Sequence, residues 1–169
     1  MVFDAGLRRF NEASQSEAKK WARICLDIPR WADELVSARP YPDRASLLTA
    51  ARTGAGPLSA KEIELALARH PRIGEPPGGD DAEAHLARAE QSNVDSSDAA
   101  ATKRLTDGNR AYEDKFGRVF LIRAAGRSTS DVLTALDRRL ANDEDSELAV
   151  VAEELRDIAA LRLAGMLDA

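Results

Sequence analysis

Cysteine, aromatic side chains and excess positive charge are all scarce in this 169-residue chain, and each shortage excludes a class of protein. Cys25 is the only cysteine, which excludes a disulfide framework and indicates a reducing compartment. The aromatic share is 5%, so alanine and aliphatic residues must fill the core, as they do where helices pack closely. Acidic residues outnumber basic ones by 29 to 24 and the charges are interspersed, which argues against binding to nucleic acid.

Long apolar runs are also missing. No segment approaches the roughly 20 apolar residues that span a membrane. Residues 1–10 carry charges early and lack the apolar centre of a signal peptide. We therefore expect a cytoplasmic protein without a membrane-inserted segment.

Helix signals dominate what is present. Ser14 and Ser59 are each followed three residues later by glutamate, the capping-box pattern that opens a helix. Further helices are predicted around residues 31–36, 43–52, 86–90, 97–116, 131–140 and 146–167. Residues 117–127 are the only plausible extended segment, and residues 74–80 form a loop because they are rich in proline and glycine. The predicted fold class is all-α, a single-domain helical bundle of roughly eight helices over residues 1–169.

Four polar side chains fall where the helical period predicts burial. His70 completes an apolar stripe that begins at Ile63, and Glu90, Asn109 and Arg162 continue similar stripes. Burying such groups costs free energy unless they are paired, so four of them in a small chain predict a polar pocket in the core. Each also has an ordinary explanation, since His70 could bond the last carbonyls of its helix and the charged groups could reach solvent.

Other chemistries lack their motifs. His70, His85 and Cys25 do not have the spacing of metal ligands, and no acidic triad joins them. The glycine-rich loop lacks the lysine and the preceding strand of a phosphate loop, and no nucleophile-elbow motif occurs. We therefore expect no metal site, no phosphate loop and no serine or cysteine nucleophile.

An ordered set of motifs resembles a known family over nearly the whole chain. In chain order the motifs are Phe10-Asn11, Trp31, Arg39-Pro40-Tyr41, His70-Pro71-Arg72-Ile73-Gly74, Ala89-Glu90-Gln91, Asn109-Arg110-Ala111-Tyr112, Lys115-Phe116-Gly117, Phe120-Leu121-Ile122, Glu153-Glu154-Leu155 and Leu161-Arg162-Leu163. Their order and spacing resemble those of the 2-oxo-4-hydroxy-4-carboxy-5-ureidoimidazoline (OHCU) decarboxylases of purine catabolism.

The resemblance implies an all-helical lyase, usually a homodimer, that uses no metal or organic cofactor. Such an enzyme converts its small-molecule substrate OHCU into (S)-allantoin and carbon dioxide during urate degradation. By motif, the resemblance implies that His70 is the catalytic acid–base and that Glu90 is its carboxylate partner. Pro71 and Gln91 would line the pocket, and Arg162 would receive the anionic end of the substrate. The backbone that would bind the ureido arm and the ring amides is that of Ile122, Arg123, Ala124, Ala125 and Gly126.

Two substrate-binding positions depart from the family pattern. Ala87 stands where relatives often have serine or threonine, so one hydroxyl contact with the substrate is missing or replaced. Arg123 stands where many relatives have a small or apolar residue, which would alter the rim of the pocket. Neither departure falls on His70 or Glu90.

The chemistry suggests a role for each catalytic residue. A histidine that titrates near neutrality can exchange protons in both directions, and a neighbouring carboxylate can hold its orientation. We hypothesise that His70 handles the hydroxyl proton of the substrate while Glu90 tunes His70 and bonds the ring. Two alternatives stay open: a hydrolase or lyase acting on a related ureido compound, and a non-enzymatic helical module with a partner-binding groove near Trp21 and Trp31.

Overall fold

The computed structural model describes residues 4–75 and 77–169, and every regular element within them is an α-helix. The helices are α1 (Ala5–Glu12), α2 (Gln15–Cys25), α3 (Pro29–Ser37), α4 (Arg44–Thr53), α5 (Ala60–Leu67), α6 (Ala82–Glu90), α7 (Ala99–Phe116), α8 (Thr129–Leu140) and α9 (Glu144–Asp168). The all-α prediction is confirmed, and the helix beyond the expected eight is α1. In these two ranges no helix combines the length and the apolar character needed to cross a membrane.

The helices begin and end where local chemistry favours it. Both predicted capping boxes form: the Ser14 hydroxyl accepts a hydrogen bond from the Glu17 amide at 3.2 Å, and the Glu17 carboxylate accepts one from the Ser14 amide. Ser59 and Glu62 make the same reciprocal pair at the start of α5. Gly117 ends α7 with φ at 66°, a left-handed conformation that glycine adopts without a steric penalty.

The extended segment indicated at residues 117–127 is not a strand. A strand needs a partner, and the rest of the described chain consists of helices and short connections that offer none. Side chains bond this backbone instead. The Leu121 carbonyl accepts a hydrogen bond from Arg139 Nη1 at 2.5 Å, and the Arg123 amide donates to Glu154 Oε2 at 2.6 Å.

Buried apolar side chains form two clusters. The large cluster comes mainly from α1–α5 and α9, and α9 packs directly against α1, α2, α4 and α5. The small cluster comes from α7 and α8, which pack together, and from Ile73, Phe120, Ile122 and Ala124. Leu121 belongs to the large cluster, so the segment at 117–127 runs between the two and forms part of their junction.

Candidate active site

His70 lies three residues beyond the end of α5. Its amide donates to the Leu67 carbonyl at 2.9 Å, and Pro71 then prevents further helix because it has no amide hydrogen to donate. The apolar stripe of α5 is buried as predicted, and His70 continues it as a partly buried residue. Its imidazole makes no hydrogen bond with the described residues, so both ring nitrogens are free of protein partners there.

Glu90 is the last residue of α6, and its carboxylate is paired with Arg162 of α9 rather than with His70. Arg162 Nε donates to Oε1 at 2.6 Å and Nη2 donates to Oε2 at 3.0 Å, which is a bidentate pair. Arg162 is only 6% exposed, so it does not reach solvent. The pairing of Glu90 with His70 that the resemblance implies is therefore absent among the described contacts.

Burial controls the protonation of this region. Burial removes water from the imidazole and so lowers the pKa of His70 from 6.5 to about 3. The positive charge of the Arg162 guanidinium is the second cause of this shift. The near-neutral titration hypothesised from the sequence does not fit this environment, because burial disfavours the charged ring, Arg162 adds a nearby cation, and no carboxylate of the described residues is hydrogen-bonded to the ring. Burial also raises the pKa of Cys25 to about 12, so this thiol is a core group and not a nucleophile.

A narrow pocket brings together residues from distant parts of the chain. Its lining residues are His70, Pro71, Ile73, Ala87, Glu90, Gln91, Phe120, Leu121, Ile122, Ala124 and Ile158. The cavity measures about 30 Å³ and lies at the junction of the two clusters. Ala87 presents only a methyl group to it, as the sequence departure requires. Seven of the residues assigned by resemblance therefore line this one pocket. Arg162 is not a lining residue, but it binds the carboxylate of Glu90, which is.

The remaining segment residues are placed differently. Arg123, Ala125 and Gly126 are not among the lining residues. The Arg123 amide is already engaged by Glu154, so it is not free to bind a ureido group while that bond persists. Ile122 and Ala124, which alternate with Arg123, face the pocket instead.

Asn109 does not join the pocket, although its predicted burial is confirmed at 6% exposure. Asn109 lies on α7, and its Nδ2 donates a hydrogen bond to the Ile73 carbonyl at 3.0 Å. It lines a neighbouring cavity of about 390 Å³ that shares Ile73 and Gln91 with the pocket. The Gln91 side chain, whose Oε1 accepts from the Gly74 amide at 3.0 Å, lies in the wall between these two cavities.

Sequence reasoning missed a buried polar cluster behind the pocket. Glu147 is 0% exposed and Arg139 is 2% exposed, and Arg139 Nε and Nη2 both donate to Glu147 Oε1, at 2.8 and 2.6 Å. Tyr112 also donates to that oxygen at 2.5 Å, and Asn142 Nδ2 donates to Oε2 at 3.0 Å. Both charged residues lie within a turn of a helix end, where the sequence pattern indicates solvent exposure, so no signal in the sequence marks them.

The described residues form neither a metal site nor a groove at Trp31. Within residues 4–75 and 77–169, no group of three or more histidine, cysteine, aspartate or glutamate side chains is arranged to hold a metal ion. The His85 side chain is 66% exposed. Trp31 is fully buried and donates to the Ala51 carbonyl at 2.9 Å, so it cannot supply a partner-binding groove.

Comparisons with known proteins agree with this architecture. The family model described as OHCU decarboxylase matches residues 11–164. Among curated proteins, the uric acid degradation bifunctional protein TTL of Arabidopsis thaliana is 29% identical over 146 residues, which is 84% of this chain and 45% of that protein. A 2-oxo-4-hydroxy-4-carboxy-5-ureidoimidazoline decarboxylase of Haloferax volcanii is 29% identical over 137 residues, 80% of each chain. The chain thus spans less than half of the plant relative.

Solved structures give the same picture of the fold. A crystal structure of OHCU decarboxylase in the presence of (S)-allantoin superposes with a TM-score of 0.69 at 25% identity, covering 89% of this chain and 99% of that one. A crystal structure of (S)-allantoin synthase also gives a TM-score of 0.69, at 18% identity, covering 95% of this chain and 53% of that one. The second match supports the fold alone.

Proposed function

Because the chain belongs to the OHCU decarboxylase family, matched over residues 11–164, we propose that it is a carboxy-lyase that converts OHCU into (S)-allantoin and carbon dioxide in urate degradation. The observation that carries the proposal is the convergence of polar groups around the pocket at the junction of the two clusters, which at about 30 Å³ must widen to admit OHCU. The pocket gathers His70, Glu90 and the backbone around Ile122 from segments that are far apart in the chain. A helical module without an active site has no need for this convergence of polar groups.

The reaction needs little more than a base and an oriented substrate. OHCU carries a hydroxyl and a carboxylate on one ring carbon, next to a C=N bond. When the carbon–carbon bond to the carboxylate breaks, carbon dioxide leaves and the bonding electron pair passes toward the C=N bond, whose nitrogen takes up a proton. The hydroxyl then loses its proton to become a carbonyl, while the neighbouring carbon gains a proton and becomes the stereocentre of allantoin.

An uncharged His70 suits the transfer of the hydroxyl proton. With its pKa lowered to about 3, the imidazole is uncharged near neutral pH and has a free nitrogen to accept the hydroxyl proton. The protonated ring can later return that proton. In this proposal His70 is the general base that accepts the hydroxyl proton.

Glu90 and Arg162 take complementary roles in the proposal. Arg162 holds both carboxylate oxygens of Glu90, which fixes the carboxylate as an acceptor for a ring N–H of the substrate. Two of the three guanidinium nitrogens are engaged in this way. Arg162 Nη1 makes no hydrogen bond with the described residues and is the group that would contact the substrate's anionic end.

The test is the formation of optically active allantoin from freshly generated OHCU, followed by circular dichroism. The wild-type protein should give the (S) signal much faster than the uncatalysed background, and His70→Ala should lower the rate by at least a hundredfold, because a general base contributes about 10²–10⁴. His85→Ala is the matched control, since it removes the other histidine from an exposed position and should leave the rate unchanged.

Two results would contradict the proposal. A wild-type rate equal to the background would rule out the decarboxylase activity. Turnover of allantoin or allantoate, tested alongside, would then indicate a hydrolase acting on a related ureido compound. A His70→Ala variant as active as His85→Ala would keep the reaction but remove His70 from it.

Assembly and location belong to the same proposal. The resemblance implies a homodimer, and the single cysteine favours the reducing environment of the cytoplasm. Leu65 and Leu161 are large apolar side chains left exposed in the single chain, as expected if another surface covers them. Light scattering during size-exclusion chromatography should give twice the 18.3 kDa of one chain, and a monomer mass would contradict the dimer.

A further inference from the structure

The polar cluster formed by Tyr112, Arg139, Asn142 and Glu147 connects three helices behind the pocket. Tyr112 lies on α7, Arg139 on α8 and Glu147 in the first turn of α9. All three are almost completely inaccessible to solvent, and their hydrogen bonds converge on one carboxylate oxygen. The cluster therefore fixes where the three helices stand relative to one another.

The same cluster continues into the pocket wall. Arg139 uses its remaining nitrogen, Nη1, to bond the Leu121 carbonyl at 2.5 Å, and its guanidinium carbon lies 4.6 Å from the centre of the Phe120 ring. Phe120 and Leu121 line the pocket together with His70. One guanidinium thus joins the buried carboxylate to two consecutive residues of the wall that faces the base.

Stability alone does not account for such an arrangement. Removing two charges from water is costly, and replacing a buried ion pair with well-packed apolar residues is often neutral or stabilising. An ion pair with fixed hydrogen-bond directions supplies a defined geometry. The segment at residues 117–127 needs such a constraint because it has no strand partner to hold its backbone.

We infer that Arg139, Glu147 and Tyr112 are positioning residues that hold the Phe120–Leu121 wall at the correct distance from His70 for decarboxylation. The inference rests on the proposed function, since it concerns the same pocket. None of the three is a lining residue of that pocket, so their effect on turnover must pass through the wall.

Tyr112→Phe is the sharpest test, because it removes one hydroxyl from the cluster and leaves the ion pair and the ring in place. The matched control is Tyr41→Phe. Tyr41 is also buried and also donates through its hydroxyl, to the Leu35 carbonyl at 2.8 Å, but it belongs to the large cluster away from the pocket. Both variants lose one buried hydrogen bond, so both should show a modest and similar fall in melting temperature.

The kinetic results should differ. Measured well below both melting temperatures, Tyr112→Phe should lower kcat about tenfold with little change in KM, because small displacements of a reacting geometry reduce turnover strongly. Tyr41→Phe should keep the wild-type kcat. Hydrogen exchange at residues 119–124 should be faster in Tyr112→Phe and unchanged in Tyr41→Phe.

A second variant tests the link to the wall directly. In Arg139→Lys the single ammonium can reach Glu147 or Leu121 but cannot reproduce the three-nitrogen geometry. We expect a larger fall in kcat than in Tyr112→Phe and a measurable loss of enantiomeric purity in the allantoin.

The inference is overturned if Tyr112→Phe and Arg139→Lys, both folded, keep wild-type kcat, product stereochemistry and exchange at residues 119–124. It is also overturned if Tyr41→Phe loses as much kcat as Tyr112→Phe, since the effect would then be general destabilisation. A failure of the proposed function is distinguishable, because the wild-type protein itself would then show no activity.

Discussion

His70 is the residue whose behaviour departs most from what its type suggests. Histidine ordinarily changes charge between about pH 5 and 8, yet burial and the Arg162 guanidinium lower the pKa of this ring to about 3. The imidazole is therefore uncharged from pH 8 down to about 5. The activity of the proposed base should not fall as pH decreases through 6.5.

This leads to a pH prediction for His70. From pH 8 down to about 5 its ring should keep the nitrogen chemical shifts of a neutral imidazole, measured by NMR in His85→Gln, where it is the only histidine. Because the unfolded chain binds this proton near 6.5 and the folded chain only near 3, the free energy of unfolding should fall as pH decreases between these values. A titration midpoint between 6 and 7 would contradict the burial of the ring.

The bidentate pair of Glu90 and Arg162 gives a second prediction. Glu90→Gln leaves a buried guanidinium without its anion, so the free energy of unfolding should fall by about 3 kcal/mol in urea denaturation. The double variant Glu90→Gln with Arg162→Met removes the uncompensated charge and should recover most of that loss, although both variants should be inactive. If the double variant is less stable than the single one, the two residues are not paired in solution.

The sequence indicates these polar residues but not how they pair. Arg162 and Glu90 each continue an apolar stripe, which is a local property that a helical period reveals. Their contact joins positions 72 residues apart, and no local pattern encodes it. Arg139 and Glu147 are not indicated even individually, because their burial depends on how α7, α8 and α9 meet.

At the scale of helices, α1 is held against α9 by a very close backbone approach. A Cβ atom added at Gly6 would lie 1.9 Å from the Leu167 carbonyl oxygen, whereas one added at Gly165 of α9 would meet nothing within 4 Å. Gly6→Ala should therefore lower the free energy of unfolding by about 2 kcal/mol or more through overpacking. Gly165→Ala should raise it by up to about 1 kcal/mol, because alanine is the better helix former.

Thermal denaturation of the two alanine variants checks this prediction. The substitutions are chemically identical, so a difference in sign reports only the space around each glycine. Equal changes in the free energy of unfolding would show that Gly6 of α1 does not approach the Leu167 backbone of α9 this closely.

Helix positions follow the sequence wherever a cap or a proline marks them. The boundaries of α2 and α5 agree with the capping boxes at Ser14 and Ser59, and α7 ends at Gly117 as its pattern indicates. Residues 117–127 carry an ambiguous signal because a short apolar run has no period of its own. Whether such a run pairs as a strand depends on partners that only the folded chain supplies.

At the scale of the whole molecule, the pocket depends on two clusters that meet. Phe120, Ile122 and Ala124 come from the small cluster, while Leu121 and Ile158 come from the large one. We expect the clusters to unfold together, as one domain over residues 1–169. Helix α9 supports this expectation, because its body packs in the large cluster and its first turn carries Glu147 into the polar cluster of α7 and α8.

Tryptophan fluorescence can test this coupling, because Trp21 and Trp31 both lie in or against the large cluster. Leu136→Ala creates a cavity in the small cluster, and we expect it to lower the free energy of unfolding by about 3 kcal/mol. The fluorescence transition should shift together with the circular dichroism transition. An unshifted fluorescence transition would show that the clusters are separate folding units.

The charges of the pocket have a consequence for how a substrate arrives. Arg162 is neutralised by Glu90 and the imidazole is uncharged, so these three groups together carry no net positive charge, and the whole chain carries a net charge of −5. An anionic substrate therefore meets no attractive field at long range, and its encounter rate should rise with ionic strength as salt screens the repulsion from the net negative chain. Selection between anions then happens after entry, through hydrogen-bond directions rather than through capture by charge.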